Sequence, residues 1–354
     1  MQGAEHLGEL LDEAPPAVSL DEAVALARDH FGLVATARPL TGERDHNFQL
    51  TDAAGAVYVL KVVHPAEPPA VTDFQSRALM HVAAADPELA TPRVVPPRGA
   101  GGGDVVWRVQ GRSDRRVRCL TYLAGRPLHL TERSPAQRRR LGAFLARLDR
   151  ALAGFRHPAE DHDLLWDLKK AARVRGLLAE IADAERRGLP ERALDRFARH
   201  VLPVLPSLRV QVVHNDFNPH NVLASAEADD EIAGVIDFGD MVRAPLIQDL
   251  ATAAAYQVTG DGHPLQGVAE MAQAFHQVLP LADEEIAVLP ELVATRLALT
   301  IAISSWRAAR HPDNAPYILR NQAAAWTGLG RLDALDRDAA VTFLREAIAK
   351  DTLP

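Results

Sequence analysis

Two short polar stretches, each set against apolar runs of strand length, constrain this chain most. The first is "VVHNDFNPHNVL" (212–223), the second "EIAGVIDFGD" (231–240). Their apolar flanks have strand length and their polar centres carry turn-forming Asn, Asp, Pro and Gly, so together they predict a short hairpin. That hairpin interrupts a half of the chain that otherwise reads as helix, and it must present its carboxylates and amides at an edge.

The spacing within these stretches is informative. His214, Asp216 and Asn221 form HxDxxxxN, and Asp237 follows sixteen residues after Asn221. Upstream, "VYVLK" ends a strand-like run at Lys61. Each match alone is weak, but in this order they form a phosphoryl-transfer signature. Moving a γ-phosphoryl group demands positioning and charge neutralisation more than covalent chemistry. Asn221 and Asp237 offer hard oxygen ligands that suit Mg²⁺, and Asp216 is placed to orient an acceptor hydroxyl and take its proton. Strand alternation puts Val57, Val59 and Lys61 on one face, so Val59 would cover a purine while Lys61 reaches the α- and β-phosphates. His214 reads as a structural histidine bracing the catalytic turn, and His220 as a loop histidine without a metal role. Asp249, in "QDLATAAAY", is either a helix-start acid or a brace for the catalytic loop.

The order of elements predicts an α+β, bilobal architecture. Ser19 with Glu22 forms a capping box for a helix to about Phe31. "HNFQLTDAAGAVYVLKVV" reads as a hairpin turning near Gly55, Thr72 with Gln75 as the start of a short helix, and "TPRVVPP" and "DVVWRVQ" as further strands. The glycines of "GAGGG" (99–103) read as a flexible hairpin turn, since no helix opens after them. Ser134, Pro135 and Gln137 cap a long helix to about Leu152. These boundaries divide the chain into a strand-rich nucleotide lobe (1–119), a linker (120–126) and a helical lobe (127–354) carrying the catalytic loop and acceptor site, with the ligand cleft between them.

Composition excludes some alternatives. Lys plus Arg number 39 against 47 Asp plus Glu, a net charge of −8 that disfavours a sequence-independent nucleic-acid binder. The arginines from Arg112 to Arg118 and 138 to 140 read as solvated faces. Cys119 is the one cysteine and reads as a small buried residue. The apolar stretch "IAVLPELVATRLALTIAIS" contains Pro290, Glu291 and Arg296, which argues against a membrane span of roughly 20 apolar residues. The start of the chain lacks the basic and apolar regions of a secretory signal, so a cytoplasmic protein is expected.

The segments "RDHNFQL", "VYVLKV", "LTYLAGRPL", "LDRALAGFRHP", "WDLK", "HNDFNPHNVL" and "VIDFGDM" resemble the aminoglycoside phosphotransferase and choline kinase superfamily, and within it the hydroxylysine kinases, from about residue 20 to about residue 330. The resemblance implies a protein-kinase-like fold and transfer from ATP or GTP to 5-hydroxylysine or a related amino alcohol. It implies that Asp216 is the base, that Asn221 and Asp237 bind magnesium, and that Lys61 holds the phosphates. Asn47 would lie over the nucleotide, and the backbone of Thr121, Tyr122 and Leu123 would hydrogen-bond the base.

Several departures sharpen that picture. No GxGxxG precedes "ERDHNF", so phosphate cover must come from a different turn. Gln75 stands where many relatives place the glutamate that pairs with the lysine. Asn215 replaces an arginine of regulated protein kinases, and no activation segment separates "DFGD" from the next helix, so a small-molecule acceptor is expected rather than a protein. Asp240 would meet a substrate ammonium and Trp306 would form an apolar or cation–π wall, unless they are a helix-entry acid and a core aromatic. An antibiotic or natural-product acceptor, and a non-catalytic nucleotide-binding module, are the competing readings.

Overall fold

The computed structural model describes residues 17–42, 44–99, 107–108 and 116–350. An antiparallel sheet comes first: β1 (Ala35–Leu40), β2 (His46–Asp52), β3 (Val57–Val63), β4 (Val94–Val95), β5 (Trp107–Arg108) and β6 (Arg116–Thr121), in the order β1-β2-β3-β6-β4 with β5 also on β6. The β2–β3 turn closes because Asp52 Oδ1 accepts from the amides of Ala54 and Ala56, at 2.9 and 2.8 Å, and Gly55 takes φ +84°. Alternation then sorts the faces. Leu60 and Val62 join Phe48, Leu50, Val117 and Cys119 in one apolar layer, while Val59 and Lys61 face a cleft. Burial pushes the Cys119 thiol up to about 12, so it packs as a small apolar residue.

Helix α1 (Leu20–Leu26) covers that apolar layer with Ala23 and Leu26, and continues through a π-turn to Phe31. Ser19 Oγ accepts from the Glu22 amide at 3.1 Å, the cap the sequence predicts. Helix α2 (Pro69–Ala85) starts earlier than predicted, with Pro69 at its first position, where proline fits; Thr72 and Gln75 lie inside it and are buried rather than capping. Although α2 precedes the connector in the chain, its Phe74, Ala78, Leu79 and Val82 belong to the larger helical core.

After β6, β7 (Arg126–Pro127) pairs with β9 (Val222–Ala224), which pairs in turn with β10 (Ile232–Val235); β8 (Val210–Val213) pairs with β11 (Val242–Pro245). These two small sheets flank the polar loops. Around them pack α3 (Pro135–Leu152), α4 (Ala184–Arg196), α5 (Leu246–Ala254), α6 (Gln266–Val278), α7 (Asp283–Arg310), α8 (Ala315–Ile318), α9 (Gln322–Asp333) and α10 (Arg337–Ala349). Ser134 caps α3 through the Gln137 amide at 3.0 Å. The Gln137 side chain does not complete a capping box; it donates instead to Thr131 Oγ1, the Glu132 carbonyl and the Asp229 carbonyl. Helix α7 is long and apolar enough to cross a membrane, yet 94% of its most apolar window is buried by protein, so it is the central core helix.

Other expectations change or fall outside the described residues. "TPRVVPP" keeps only Val94–Val95 as strand, while of "DVVWRVQ" only Trp107–Arg108 is among the described residues, and it is strand. Of "GAGGG", only Gly99 is among the described residues, with φ +71°. Of the arginines from Arg112 to Arg118, Arg116 and Arg118 are among the described residues and are buried rather than solvated, Arg116 donating to the His64 and Glu67 carbonyls and Arg118 lying near Asp45.

Candidate active site

A cleft of about 610 Å³ lies between the sheet and the polar loops, and it collects most of the residues singled out in the sequence. Lys61, Asn47, Val59, Thr121, Tyr122 and Leu123 line one side, and Asp216, Asn221, Asp237 and Asp240 the other. Trp306 is not among its walls. It is packed into the helical core from α7, with Arg310 4.5 Å from the centroid of its ring.

The loop from His214 to Asn221 is held from beneath. Asp249, on the first turn of α5, accepts from the His214 amide at 2.9 Å and the Asn215 amide at 2.7 Å, so it is the brace rather than a free helix-start acid. Below it, Asp149 of α3 is fully buried, and neither of its oxygens meets a donor. Burial first, and then the charge of Asp249, push the Asp149 pKa well above the usual range, so Asp149 keeps a proton and donates it toward Asp249. Gln248 adds a second tie, donating to Asn215 Oδ1 at 2.9 Å and to the buried Asp167 of "WDLK" at 3.1 Å.

His214 is engaged at both ring nitrogens. Its Nδ1 accepts from the Asp216 amide at 3.2 Å and its Nε2 lies 3.3 Å from the Ile236 carbonyl, which assigns the proton to Nε2. Burial lowers its pKa, outweighing the nearby Asp249 and Asp237, and keeps the ring neutral. Asn215 (φ +64°) and Asp237 (φ +62°) are the described non-glycine residues in the left-handed region. Both lie in the two polar stretches, and such strain persists where surrounding bonds over-determine it.

Asp216 sits at the centre. Asn218 Nδ2 donates to its Oδ1 at 2.8 Å and Asn221 Nδ2 to its Oδ2 at 2.6 Å. Arg296, from the middle of α7, approaches Oδ1 at 3.3 Å; its guanidinium lies 4.8 Å from the Trp166 ring and reaches the Tyr256 hydroxyl at 3.3 Å. Burial, followed by the Asp240 charge, raises the Asp216 pKa to about 7 against the opposing pull of Arg296 and Asn218. A carboxylate of that kind is a matched acceptor for a hydroxyl proton. The sequence reading missed Arg296 as a partner. Its signal was there: a charge inside so apolar a helix requires a buried counter-charge.

Asp237 is exposed at 52%. Burial opposes its ionisation, but the charges of Lys61, Arg44 and Arg118 outweigh that and hold its pKa below normal. With the Asn221 amide nitrogen turned to Asp216, the Asn221 carbonyl oxygen and the ionised Asp237 form a hard-oxygen pair that fits magnesium. Among the described residues there is no cluster of three or more His, Cys, Asp or Glu for a metal, so phosphate oxygens and water would complete such a site.

Lys61 has a partner that Gln75 cannot supply. Its Nζ lies 3.7 Å from Asp45 Oδ2 and 4.0 Å from Asp237 Oδ1. Asp45 is fixed by the His64 amide at 3.1 Å, with Arg118 3.9 Å away. Gln75 instead reaches the Gly239 carbonyl at 3.4 Å. Asp240 pairs with Arg44 across the cleft at 2.8 Å. Asn47 faces Lys61 on the neighbouring strand and has a buried Oδ1 without a partner. In the connector, the Thr121 and Tyr122 amides are taken by the Arg93 and Val57 carbonyls, at 2.8 and 3.0 Å.

The sequence matches the phosphotransferase enzyme family over residues 36–281, well over half the chain. The chain belongs to that family. This phosphotransferase is 27% identical to hydroxylysine kinase of Mus musculus over 341 residues, covering 90% of each chain. It is 26% identical to the Bos taurus hydroxylysine kinase over 346 residues, covering 92% of each. Among solved structures it is similar to a microcompartment-associated aminopropanol kinase (TM-score 0.62, 19% identity, 92% of this chain and 97% of that one). It is also similar to an amicoumacin kinase in complex with AMP-PNP, Ca²⁺ and Ami (TM-score 0.61, 15% identity, 86% and 91%). The α+β bilobal kinase-like fold is thus shared, and a phosphotransferase acting on a hydroxyl group of a small molecule accounts for the cleft.

Proposed function

We propose that this phosphotransferase moves the γ-phosphoryl group of ATP or GTP, with Mg²⁺, to the side-chain hydroxyl of 5-hydroxylysine or a closely related amino alcohol. The observation that carries the chemistry is Asp216, a cleft-facing carboxylate poised near neutral pKa beside Asn221 and across from Lys61. The acceptor is supported by similarity to hydroxylysine kinases along nearly the whole chain. Consumption of a nucleoside triphosphate favours a cytoplasmic setting.

In this reading Val59 covers the base, and the Leu123 amide reads it, since those of Thr121 and Tyr122 are spent in the sheet. Lys61 exchanges its ion pairs for the α- and β-phosphates, and Asn47 offers its unpartnered oxygen to the nucleotide or its water. Asn221 and Asp237 would hold the magnesium ion, which supplies neutralisation of phosphate charge. Asp216 accepts the hydrogen bond of the acceptor hydroxyl and takes its proton as that oxygen bonds to the γ-phosphorus; the bond to the β-phosphate oxygen breaks and the nucleoside diphosphate leaves. Arg296, Asn218 and Asn221 fix the direction in which Asp216 points.

The test is phosphoryl transfer from ATP and from GTP to 5-hydroxylysine, with lysine as the hydroxyl-free control and Asp216→Asn as the enzyme control. Transfer to hydroxylysine alone, abolished by Asp216→Asn, is the expected result. Nucleotide binding without transfer to any hydroxylated amine or amino acid would sink the acceptor assignment.

A further inference from the structure

Four cationic side chains line the cleft: Arg44, Lys61, Arg118 and Arg320. The first three face carboxylates, Arg44 that of Asp240, and Lys61 and Arg118 that of Asp45. Arg320 differs. Among the described residues no carboxylate lies within ion-pair distance of it, and its guanidinium carbon lies over the Tyr317 ring, 3.8 Å from the centroid. Stacking occupies the face of a guanidinium and leaves its edge donors free, the geometry that suits a planar, two-oxygen anion.

Its position ties it to the catalytic loop. The next residue, Asn321, bonds His220 Nε2 at 3.3 Å, and His220 directly precedes Asn221. The segment joining α7 to α9 therefore brings one uncommitted cation to a cleft that also presents the carboxyl groups of Asp216 and Asp240. An acceptor that satisfies both signs carries ammonium and carboxylate together.

Resting on the hydroxylysine reading above, we propose that Arg320, held on Tyr317, binds the α-carboxylate of the acceptor and so selects a hydroxylated amino acid over amino alcohols that lack the carboxylate. The experiment compares kcat/KM for 5-hydroxylysine with that for 1,5-diaminopentan-2-ol, its decarboxylated counterpart, in the wild type, Arg320→Ala and Arg320→Lys. The wild type should prefer hydroxylysine. In Arg320→Ala that preference should fall about tenfold, through a higher KM for hydroxylysine, as expected for loss of a charge-assisted pair. Arg320→Lys should restore only part of it, because an ammonium lacks the fork. Arg320 is exposed, so Arg320→Ala should melt with the wild type. An unchanged preference in Arg320→Ala, or a raised KM for the nucleotide instead, would overturn the proposal. Equal wild-type use of both acceptors strikes only the carboxylate inference, whereas wild-type transfer to neither strikes the hydroxylysine reading itself.

Discussion

The catalytic loop and the turn that faces it across the cleft are held in opposite ways. The loop from His214 to Asn221 is tied to buried groups: two of its backbone amides end on Asp249, Asp149 supports Asp249 with a retained proton, and Gln248 grips Asn215. Arg44 and Asp45, just before β2, are held by ion pairs at the cleft wall, Arg44 with Asp240 and Asp45 with Lys61. A buried hydrogen bond is costly to break because the abandoned group finds no water, while a cleft-wall ion pair exchanges partners readily. The loop is thus built before the ligands arrive, and the turn is held by the charges a triphosphate would take over.

The largest effect should come from removing the group that the rigid loop exists to present. Asp216→Ala should lower kcat by about a thousandfold, within the range for loss of a general base, while Mg·nucleotide still binds. Asp237→Ala should instead weaken metal–nucleotide binding, read by titration calorimetry. Equal loss of nucleotide binding in both variants would show that the two carboxylates do not divide their roles in this way.

Next comes the brace. Asp249→Ala strands the His214 and Asn215 amides and leaves Asp149 facing a void; at about 1–3 kcal/mol for each buried unpaired group, a loss of about 3 kcal/mol or more is expected. Thermal denaturation should show it directly. A shift of under a degree would mean that water or Gln248 can substitute for the carboxylate.

The retained proton makes a signed prediction. A carboxyl whose folded pKa is raised above its unfolded value contributes stability that is complete below the unfolded pKa and is lost as pH rises through the folded one. Asp149 should therefore cost the protein stability on the alkaline side. Asp149→Asn, which keeps a donor toward Asp249 without an ionisable proton, should flatten that loss in melts recorded across pH. Turnover has its own limb: with Asp216 near 7 and active as the carboxylate, kcat should rise as pH increases through about 7.

The same contrast explains what was legible in the sequence. The loop from His214 to Asn221 stands out because Asp216, Asn221 and Asp237 fall at the spacing that phosphoryl transfer would require. Ser19, Gly55 and Ser134 could be read because caps and turns are decided locally. What escaped was set by long-range partners. Arg118 and Arg296 look like solvated or stray charges until Asp45 and Asp216 are brought to them from elsewhere in the chain. Thr72 and Gln75 imitate a helix start, but packing of α2 into the large core extends the helix back to Pro69. Asp249 was ambiguous for the same reason, since a helix-start acid and a brace differ only in what lies above them. Trp306 was offered as a cleft wall, but α7 buries that side chain in the core.

The smallest effect tests the exchangeable turn. Arg44 and Asp240 are both largely covered, at 22% and 13% exposure, but they face the cleft, so their pair should be worth no more than about 1 kcal/mol to the free protein. Arg44→Ala should accordingly move the melting temperature little. If the turn passes from Asp240 to phosphate when nucleotide enters, the same variant should raise KM for the nucleotide a few-fold, and that increase should shrink at high salt as screening weakens the contact it replaces. Asp240→Asn should act in the opposite sense, freeing Arg44 from its partner and lowering KM for the nucleotide. Should both variants raise KM alike, the pair would be a fixed wall of the cleft, and the turn would be as prebuilt as the loop it faces.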